Sequence, residues 1–461
     1  MTIATLEAKL KKSGLKVEAL TDAKILRGTA GMSNLPTKVV RPKTVKDVQA
    51  IQKAAHQAGV ALWVTPNASG NGLLAPEVSS EPVLVDLSSM RAVIAIDPDS
   101  ATALVEPGVS HADLRAALKS KGHNMWVDSG RNDAESIMGS IWDRAFGYTA
   151  YSDNVLMQCG MEIVTADGKQ VRTGMGAFPK GDCWQLFKLG FGPYVDGSFM
   201  QSGLGIPTKV GLWISPAPPA YRPFAFRIDD EATMTAAVEI MRDLRINMIV
   251  PNTIVVIDGE SERALLGGMP AAWNIYGALY GLPKNVDLLW GMLNGIAGKL
   301  GSAVRLENLT DAKEGPAAAR AALMQGHAIA EWAHYEKSVG SRYLRLVFAM
   351  PIEGAPALKF AKRTKEVVKA AGCGVVVEQG TSWRALLSEV LISYNEGQEK
   401  GALDCGKALI SEWAMQGIGV VRAAPAFRKA AMATYSDAGF NKLQALLTSA
   451  IGSTDAPRQA A

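Results

Sequence analysis

The chain has 461 residues, which is enough for two or three domains or for one large two-part enzyme. Hydrophobic residues make up 48% and charged residues 20%, which excludes a disordered chain and a collagen-like fibre. The net charge of +4 is too small to indicate nucleic-acid binding, and no stretch of about 18 apolar residues predicts a membrane-spanning helix.

The four cysteines are far apart and form neither a CxxC pair nor a haem-attachment motif. Free thiols in a reducing compartment are therefore predicted for Cys159, Cys183, Cys373 and Cys405. The N-terminal segment MTIATLEAKLKKSG carries charges where a signal peptide needs an apolar stretch. These features predict a soluble cytoplasmic protein, with the periplasm left open if a partner carries the chain across a membrane.

The first half of the chain contains helical patterns and several short apolar runs. After a short helical segment in the first forty residues, TVKDVQAIQKAAHQAG places Val45, Val48 and Ile51 at helical spacing, with Gly59 at its C-cap. VALWV, VLVDL, AVIAIDP and ATALVEPGV predict strands, HADLRAALKSKG predicts a helix, and Asp167-Gly168 predicts a hairpin turn. A strand, a helix and then several strands in quick succession indicate an α+β fold rather than a doubly wound sheet.

The second half begins with the proline-rich segment PAPPAYR at residues 216–222, which predicts a linker. Strands are then predicted for FAFRI, MIVPNTIVVI, RYLRLVFAMP and GVVVEQ. A helix is predicted for ALKFAKRTKEVVKAAG, and amphipathic helices around residues 403–416 and 437–450.

The segment TPNASGNG, residues 65–72, is rich in small residues and follows a predicted strand. Small side chains let the backbone approach a ligand closely, and successive N–H groups in such a loop can hold a pyrophosphate. A surface loop without a ligand is an equally good interpretation. No GKS or GKT follows the segment and no GxGxxG opens a helix, so neither a Walker loop nor a Rossmann site is predicted.

Three longer motifs occur in order between residues 136 and 216: SIMGSIWDRAFGYTAYSDN, then MEIVTADGKQVRTGMGAF, then FKLGFGPYVDGSFMQSGLGIPTKVGLWISP. Together they resemble the flavin-binding domain of the vanillyl-alcohol oxidase and p-cresol methylhydroxylase family. The resemblance implies an α+β fold with an FAD-binding domain and a cap domain that covers the substrate. FAD is the implied cofactor, and it would accept a hydride from the substrate.

The resemblance also implies which residues contact FAD. The loop from Asn67 to Gly72 would contact the pyrophosphate, and the segment from Ser136 to Gly139 would line the flavin. Tyr148 and the Gly205-Ile206 turn would lie along the cofactor. The implied cofactor-binding residues are Asn67, Ser69, Gly70, Asn71, Gly72, Ser136, Ile137, Met138, Gly139, Tyr148, Gly205 and Ile206. Turn chemistry alone is the alternative explanation for each of the glycines.

Three residues match charged positions of the family's active site. Asp153 matches an acid near the reactive flavin nitrogen, where a carboxylate acts as a base or stabilises a charged intermediate. Arg422 matches an arginine that holds a phenolate, and Glu378 matches an acid near the substrate pocket. The alternatives are a solvated turn aspartate, a surface salt bridge and a structural acid, respectively.

The chain departs from the family at positions that hold a phenol. Asn71 and Val421 stand where the family has tyrosines, so two donors to a phenolate oxygen are missing. A site that has lost such contacts discriminates against the ligand that needs them, so a plain p-alkylphenol is not the expected substrate. Leu346 stands near the family's point of covalent flavin attachment, and Tyr343 is the nearest other candidate. Non-covalent FAD is therefore expected.

Two main functions compete, and a third class stays open. An active flavoprotein would remove a hydride from a benzylic or allylic carbon of a substrate anchored by Arg422, and electrons would pass to oxygen or to a cytochrome. A catalytically degenerate chain would instead serve as a subunit beside an active homologue or a cytochrome. The third class is a flavin enzyme for a non-aromatic alcohol or hydroxy acid. The expected partners are a small-molecule substrate and either a cytochrome c or a homologous flavoprotein subunit, and an oligomer is expected.

The predicted division of the chain has an FAD-binding domain at residues 1–218, a substrate or cap domain at 219–418 and a C-terminal return to the first domain at 419–461. No metal site is predicted. His327 and His334 share a helical pattern, but two helical turns separate them by about 10 Å, which is too far to chelate one ion.

Overall fold

The computed structural model of the protein describes residues 2–22, 29–67, 78, 80–328, 335–340 and 342–452. Within these ranges, helices and sheets are mixed as the predicted α+β class requires. No helix in the described part of the chain is both long enough and apolar enough to cross a membrane.

Two sheets form the N-terminal half, and they differ in strand direction. The first contains β1 (Val17–Ala19), β2 (Lys38–Val40), β3 (Leu62–Thr65) and β4 (Val83–Asp86) in the order β1-β2-β4-β3, with β2 and β3 parallel to β4. The second is antiparallel and contains β5 (Val93–Asp97), β6 (Thr102–Val105), β8 (Gln158–Val164), β9 (Gln170–Arg172) and β10 (Ile206–Trp213) in the order β5-β6-β10-β8-β9. A short antiparallel pair joins β7 (Met125–Trp126) to β11 (Ser215–Pro216).

The helices of this half are mostly short and lie between these strands in the chain. They are α1 (Ile3–Lys11), α2 (Val45–Ala58), α3 (His111–Ser120), α4 (Ile137–Trp142), α5 (Asn154–Met157) and α6 (Asp196–Phe199). One hydrophobic core, built from residues between Leu6 and Ile214, holds these helices and both sheets together.

The second half is built on one antiparallel sheet, with strand order β15-β12-β14-β13-β17-β18-β16-β19. Its strands are β12 (Ala220–Ile228), β13 (Val255–Asp258), β14 (Trp273–Gly281), β15 (Val304–Asn308), β16 (Tyr343–Pro351), β17 (Gly374–Ser382), β18 (Ala385–Ser393) and β19 (Gly419–Ala423). The helices are α7 (Glu231–Ile246), α8 (Gly259–Leu266), α9 (Pro283–Leu300), α10 (Gly315–Leu323), α11 (Gly354–Ala370), α12 (Glu399–Ala414), α13 (Arg428–Thr434) and α14 (Ala438–Ile451).

Local sequence signals predict α2 correctly. Thr44 and Asp47 form a reciprocal capping box at its N-terminus, and Gly59 ends it in the left-handed conformation at φ 59°. Val48 and Ile51 are fully buried, so the apolar stripe read from the sequence is the face that packs on the core. The predicted hairpin turn at Asp167-Gly168 also forms, between β8 and β9.

Two predicted elements of the second half are wrong in extent. The proposed linker at 216–222 overlaps a strand, because Tyr221 and Arg222 already pair with β14. The proposed strand MIVPNTIVVI shortens to β13, because Asn252 turns the chain before it. The buried Asn252 amide donates to the carbonyls of Tyr148 and Thr253, and its Oδ1 accepts from the Ala278 N–H at 3.0 Å.

The predicted division of the chain into domains at residues 218 and 418 stays a prediction, and strand β19 bears on where its last segment begins. Strand β19 pairs with β16 at the edge of the large sheet, so the chain is still in the second unit at Ala423. The return to the first unit occurs later, in α14, where Leu447 and Ile451 pack against the N-terminal core. The pairing of β19 with β16 joins strands that are distant in the chain, and no local sequence signal reports it.

Removal of the capping box is expected to weaken α2. Thr44→Ala loses the side-chain acceptor for the Asp47 N–H, and we expect the free energy of unfolding to fall by about 1 kcal/mol. Urea titration followed by circular dichroism measures this change.

Thr2→Ala is the matched control, since Thr2 precedes α1 without a side-chain cap hydrogen bond. Equal losses in the two variants would contradict the capping role of Thr44.

Candidate active site

Gly147, the glycine of the motif GYT, lies directly against the carboxylate of Asp128, which holds the turn in place. Asp128 accepts hydrogen bonds from the backbone N–H groups of Gly130 at 3.0 Å, Tyr148 at 2.8 Å and Thr149 at 2.7 Å. A Cβ atom on Gly147 would lie 1.9 Å from Asp128 Oδ1. The turn therefore holds Tyr148 in a fixed position between the two halves of the molecule.

The segment from Ser136 to Gly139 starts α4. The Ser136 hydroxyl donates to the Pro107 carbonyl and accepts from the Gly139 N–H at 3.1 Å. The side chains of Ile137 and Met138 are buried in the N-terminal core. Ser136 and Gly139 are thus the members of this segment that remain available to line a cavity.

Two adjoining cavities lie where α4 approaches β19. The Asn67 cavity is lined by Pro66, Asn67, Glu135, Ser136, Gly139, Ser140 and Arg422. The Arg131 cavity is lined by Ser129, Gly130, Arg131, Asn132, Glu135, Ser140, Ala145, Phe146, Tyr148, Asn154, Arg345, Glu389 and Arg422. Glu135, Ser140 and Arg422 belong to both linings, so the structure brings residues predicted from separate motifs to one place.

Arg422 is 5% exposed and projects from β19. Its Nε donates to Asp143 Oδ2 at 2.5 Å, and Asp143 is the one hydrogen-bond partner of the guanidinium in the part of the chain that the structure describes. Burial raises the pKa of Asp143 above its usual value, although the charge and hydrogen bond of Arg422 oppose that shift. The terminal nitrogens of the guanidinium remain available at the cavities.

Asp153 lies apart from this arrangement. Its carboxylate accepts from the Leu156 N–H at 3.0 Å and caps α5, and its side chain is half-buried. Asp153 lines neither cavity. The geometry agrees with the alternative of a turn aspartate, and Asp143, ten residues earlier in the same motif, is the acid that contacts Arg422.

Glu378 is buried under the Arg131 cavity and does not line it. Tyr148 donates its hydroxyl to Glu378 at 2.6 Å, Arg320 donates at 2.7 Å, and Arg131 forms an ion pair with it. Burial alone would raise the pKa of Glu378, but the two guanidiniums and the tyrosine hydroxyl outweigh it and lower that pKa to about 2. These contacts favour the ionised form of Glu378, which holds Arg131 and Tyr148 in position.

The remaining cofactor-binding candidates divide into three groups. Asn67 lines its cavity and donates to the Ala134 carbonyl at 2.9 Å. Gly205 and Ile206 lie in the core beside β8, where a Cβ on Gly205 would meet Ile163 at 2.4 Å, so sheet packing accounts for that glycine. The third group, Ser69, Gly70, Asn71 and Gly72, lies outside the described residues.

Residues 36–174 match a family described as an FAD binding domain. The chain is 30% identical over 445 residues to the flavoprotein subunit of 4-cresol dehydrogenase [hydroxylating] from Pseudomonas putida, with 89% of this chain and 85% of the relative covered. It belongs to the vanillyl-alcohol oxidase and p-cresol methylhydroxylase family. Like its relatives, it is an FAD-dependent oxidoreductase.

Solved structures of the family agree in fold with this chain. The structure of p-cresol methylhydroxylase with substrate bound superposes with a TM-score of 0.88 at 27% identity, covering 98% of this chain and 94% of that one. A 4-ethylphenol oxidase from Gulosibacter chungangensis, in an isoeugenol complex, also gives 0.88 at 24% identity, with 97% and 94% covered. The expected fold, an FAD-binding domain of the p-cresol methylhydroxylase type with an α+β cap, is thus confirmed.

The residues present fit FAD. Asn67, Ser136 and Gly139, which the family resemblance assigns to the cofactor, line one cavity with the guanidinium of Arg422. When bound, FAD supplies the hydride acceptor, and a nearby cation stabilises the reduced anionic ring. At the two candidate positions for covalent attachment, Leu346 is fully buried and Tyr343 donates its hydroxyl to Glu336 at 2.9 Å.

Sequence reasoning missed several charged residues of this site, namely Arg131, Glu135, Asp143, Arg320, Arg345 and Glu389. For Arg345 and Glu389 a signal was present, because each is the one charged residue inside a mostly apolar strand. Such a charge at an inward position predicts a buried ion pair. Its partner, however, comes from a distant part of the chain. No group of three or more potential metal ligands occurs in the described residues, and His334 lies outside them.

Replacement of Arg320 is expected to destabilise the second half strongly. Arg320 is fully buried between Glu262 and Glu378, and Arg320→Met would leave both carboxylates short of a partner. We expect a loss of about 3–5 kcal/mol in the free energy of unfolding. Because only Arg131 and the Tyr148 hydroxyl would then lower the pKa of Glu378, the variant should also begin to unfold at a higher pH during acid titration.

Arg305→Met is the matched control, since its ion pair with Asp229 at 2.9 Å is half exposed and should change stability by about 1 kcal/mol or less. Similar stability for the two variants would show that the buried ion pairs around Glu378 are dispensable.

Proposed function

We propose that the chain uses FAD to remove a hydride from a benzylic, allylic or alcohol carbon of a substrate whose anionic group is anchored by Arg422. Plain p-alkylphenols are not its substrates. The observation that supports this proposal is the position of Arg422, which is buried, lines both cavities and is engaged by Asp143 only through Nε.

A guanidinium in this position suits an oxyanion or a carboxylate. It keeps its charge at every physiological pH, and its planar fork presents two nitrogens to two oxygens. Arg345 lines the Arg131 cavity and adds positive charge there, and its ion pair with Glu389 at 3.0 Å fixes its orientation. A carboxylate-bearing alcohol fits these charges as well as an aromatic alcohol does.

A phenol oxygen has few donors here. Val421 precedes Arg422 where the family has a tyrosine, and a valine side chain donates no hydrogen bond. Tyr148 is the one phenol among the described residues that line the two cavities, and its hydroxyl already donates to Glu378. A site built to hold a phenol discriminates by such donors, so their loss disfavours p-alkylphenols.

A non-catalytic role in a complex is the second candidate. The missing phenol donors favour it, as does the resemblance to a protein named as a flavoprotein subunit. The partner would be a cytochrome c or a homologous flavoprotein subunit. The absorption spectrum of the purified protein distinguishes the two candidates, since bound flavin that substrates reduce supports an enzyme and a colourless protein supports the degenerate subunit.

Loss of Arg422 is expected to remove the substrate anchor. An anaerobic screen of aromatic alcohols, hydroxy acids and p-alkylphenols would first identify the compounds that bleach the flavin. For the best of them, Arg422→Ala should lower kcat/KM about 30-fold or more, and Arg422→Lys should recover only part of the loss because it lacks the fork. Steady-state kinetics measures both effects.

Arg342→Ala is the control, since Arg342 is exposed and its nearest carboxylate, in Glu396, lies 3.7 Å away. An Arg422→Ala enzyme with unchanged kcat/KM and normal flavin content would refute the anchor. Reduction by p-alkylphenols alone would refute the proposed substrate class.

FAD is expected to be held without a covalent bond. Acid precipitation of the purified protein should leave the yellow colour in the supernatant, because Leu346 offers no nucleophile and the Tyr343 hydroxyl is bonded to Glu336. Colour retained in the pellet, and lost from it in a Tyr343→Phe variant, would contradict this expectation.

A further inference from the structure

We propose that Glu135 is the base that accepts the hydroxyl proton when an alcohol is oxidised at this site. This inference rests on the proposed function and deepens it, because it concerns the same two cavities. It assigns a role to a residue that none of the sequence motifs singled out.

The position of Glu135 is the first argument. It lies immediately before the N-cap of α4 and lines both the Asn67 cavity and the Arg131 cavity, as Arg422 does. Its backbone carbonyl accepts hydrogen bonds from the His111 backbone N–H at 3.2 Å and from His111 Nδ1 at 2.9 Å. The buried imidazole thus holds the backbone of Glu135 in place at the junction of the cavities.

Elimination of the other acids is the second argument. Glu389 is bonded to Arg131 and Arg345, and Asp143 is bonded to Arg422. Among the described residues, the carboxylate of Glu135 makes no side-chain hydrogen bond. Of the two glutamates that line these cavities, it is the one whose oxygens are available to a substrate.

The charges around Glu135 suit proton transfer. Arg345 and Arg422 attract its carboxylate, whereas Asp143 and Glu336 repel it, and Glu389 also lines the Arg131 cavity. Burial raises the pKa of Glu135 above its usual value and outweighs the two guanidiniums. A carboxylate with a raised pKa holds a proton more firmly, which favours its action as a base near neutral pH.

The chemistry of an alcohol requires such a group. The C–H bond would break with both its electrons leaving as a hydride, for which bound FAD would supply the two-electron acceptor. The O–H bond would break and its proton would pass to the Glu135 carboxylate, so that the carbon and oxygen form a carbonyl and the alcohol is oxidised by two electrons. Without a base the product would be a protonated carbonyl, which is a strong acid and a poor product near neutral pH.

Glu135→Gln tests the role by its effect on the pH profile. For an alcohol that reduces the wild-type flavin, the variant should lose about 10²- to 10⁴-fold in kcat/KM. The wild-type rate should fall as the pH drops through the pKa of Glu135, and the residual rate of the variant should lack that fall. Glu314→Gln, at an exposed position without a side-chain hydrogen bond, is the matched control and should behave as wild type.

Binding of benzoate tests the same carboxylate without turnover. Perturbation of the flavin spectrum reports the affinity, and deprotonation of Glu135 should repel the benzoate anion. We expect the affinity of the wild-type protein for benzoate to weaken about tenfold as the pH rises through the Glu135 pKa. This pH-dependent weakening should be absent in the Glu135→Gln variant. Flavin absorbance and the melting temperature verify that the variant is folded.

The outcomes separate this inference from the proposed function. If Glu135→Gln keeps wild-type kcat/KM and a wild-type pH profile while Arg422→Ala is impaired, the base role of Glu135 is wrong and the anchor stands. If no alcohol reduces the wild-type flavin, the proposed function fails and the base role fails with it. The inference is supported if the Glu135→Gln variant loses both the fall in rate at low pH and the weakening of benzoate binding at higher pH.

Discussion

The site depends on one ion-pair arrangement, in which Arg131 holds two glutamates together. Glu378 on β17 and Glu389 on β18 are direct cross-strand partners, so their like charges would repel. Arg131, which comes from the segment before α4 in the N-terminal half, forms ion pairs with both. A cation from one unit thereby neutralises an anionic pair in the other, which ties the two halves together at the site.

That arrangement continues across the large sheet to Arg422. Val347 on β16 pairs with Glu389, and Arg422 on β19 pairs with Val347, so the strand register aligns Glu378, Glu389 and Arg422 in one row. Buried charges are expensive to desolvate and persist only when each has a partner. Each charge in this row has a partner. Glu378 is paired with Arg131 and Arg320, and Glu389 with Arg131 and Arg345. Arg422 is paired with Asp143.

The consequence for chemistry is a polar site with fixed charges. The family resemblance implies two tyrosines that hold a phenol oxygen. In this chain Val421, the residue before Arg422, stands at one of the two positions. The two carboxylates close to Arg422, those of Asp143 and Glu135, differ in their hydrogen-bond partners. Asp143 accepts a hydrogen bond from Arg422 and orients the guanidinium, whereas the carboxylate oxygens of Glu135 are available at the junction of the two cavities. Our two proposals therefore assign substrate anchoring to Arg422 and proton acceptance to Glu135.

The sequence by itself determined the local elements and the family. The capping signals at Thr44 and Gly59 defined α2, and the motifs around Ser136 and Tyr148 identified an FAD-binding domain, because both depend on residues that are neighbours in the chain. Only the tertiary structure decided that Asp143 rather than Asp153 meets Arg422 and that Glu378 is a positioning anion beneath the site. The role of a carboxylate depends on its burial and on cations that arrive from distant strands, and spacing along the chain records neither.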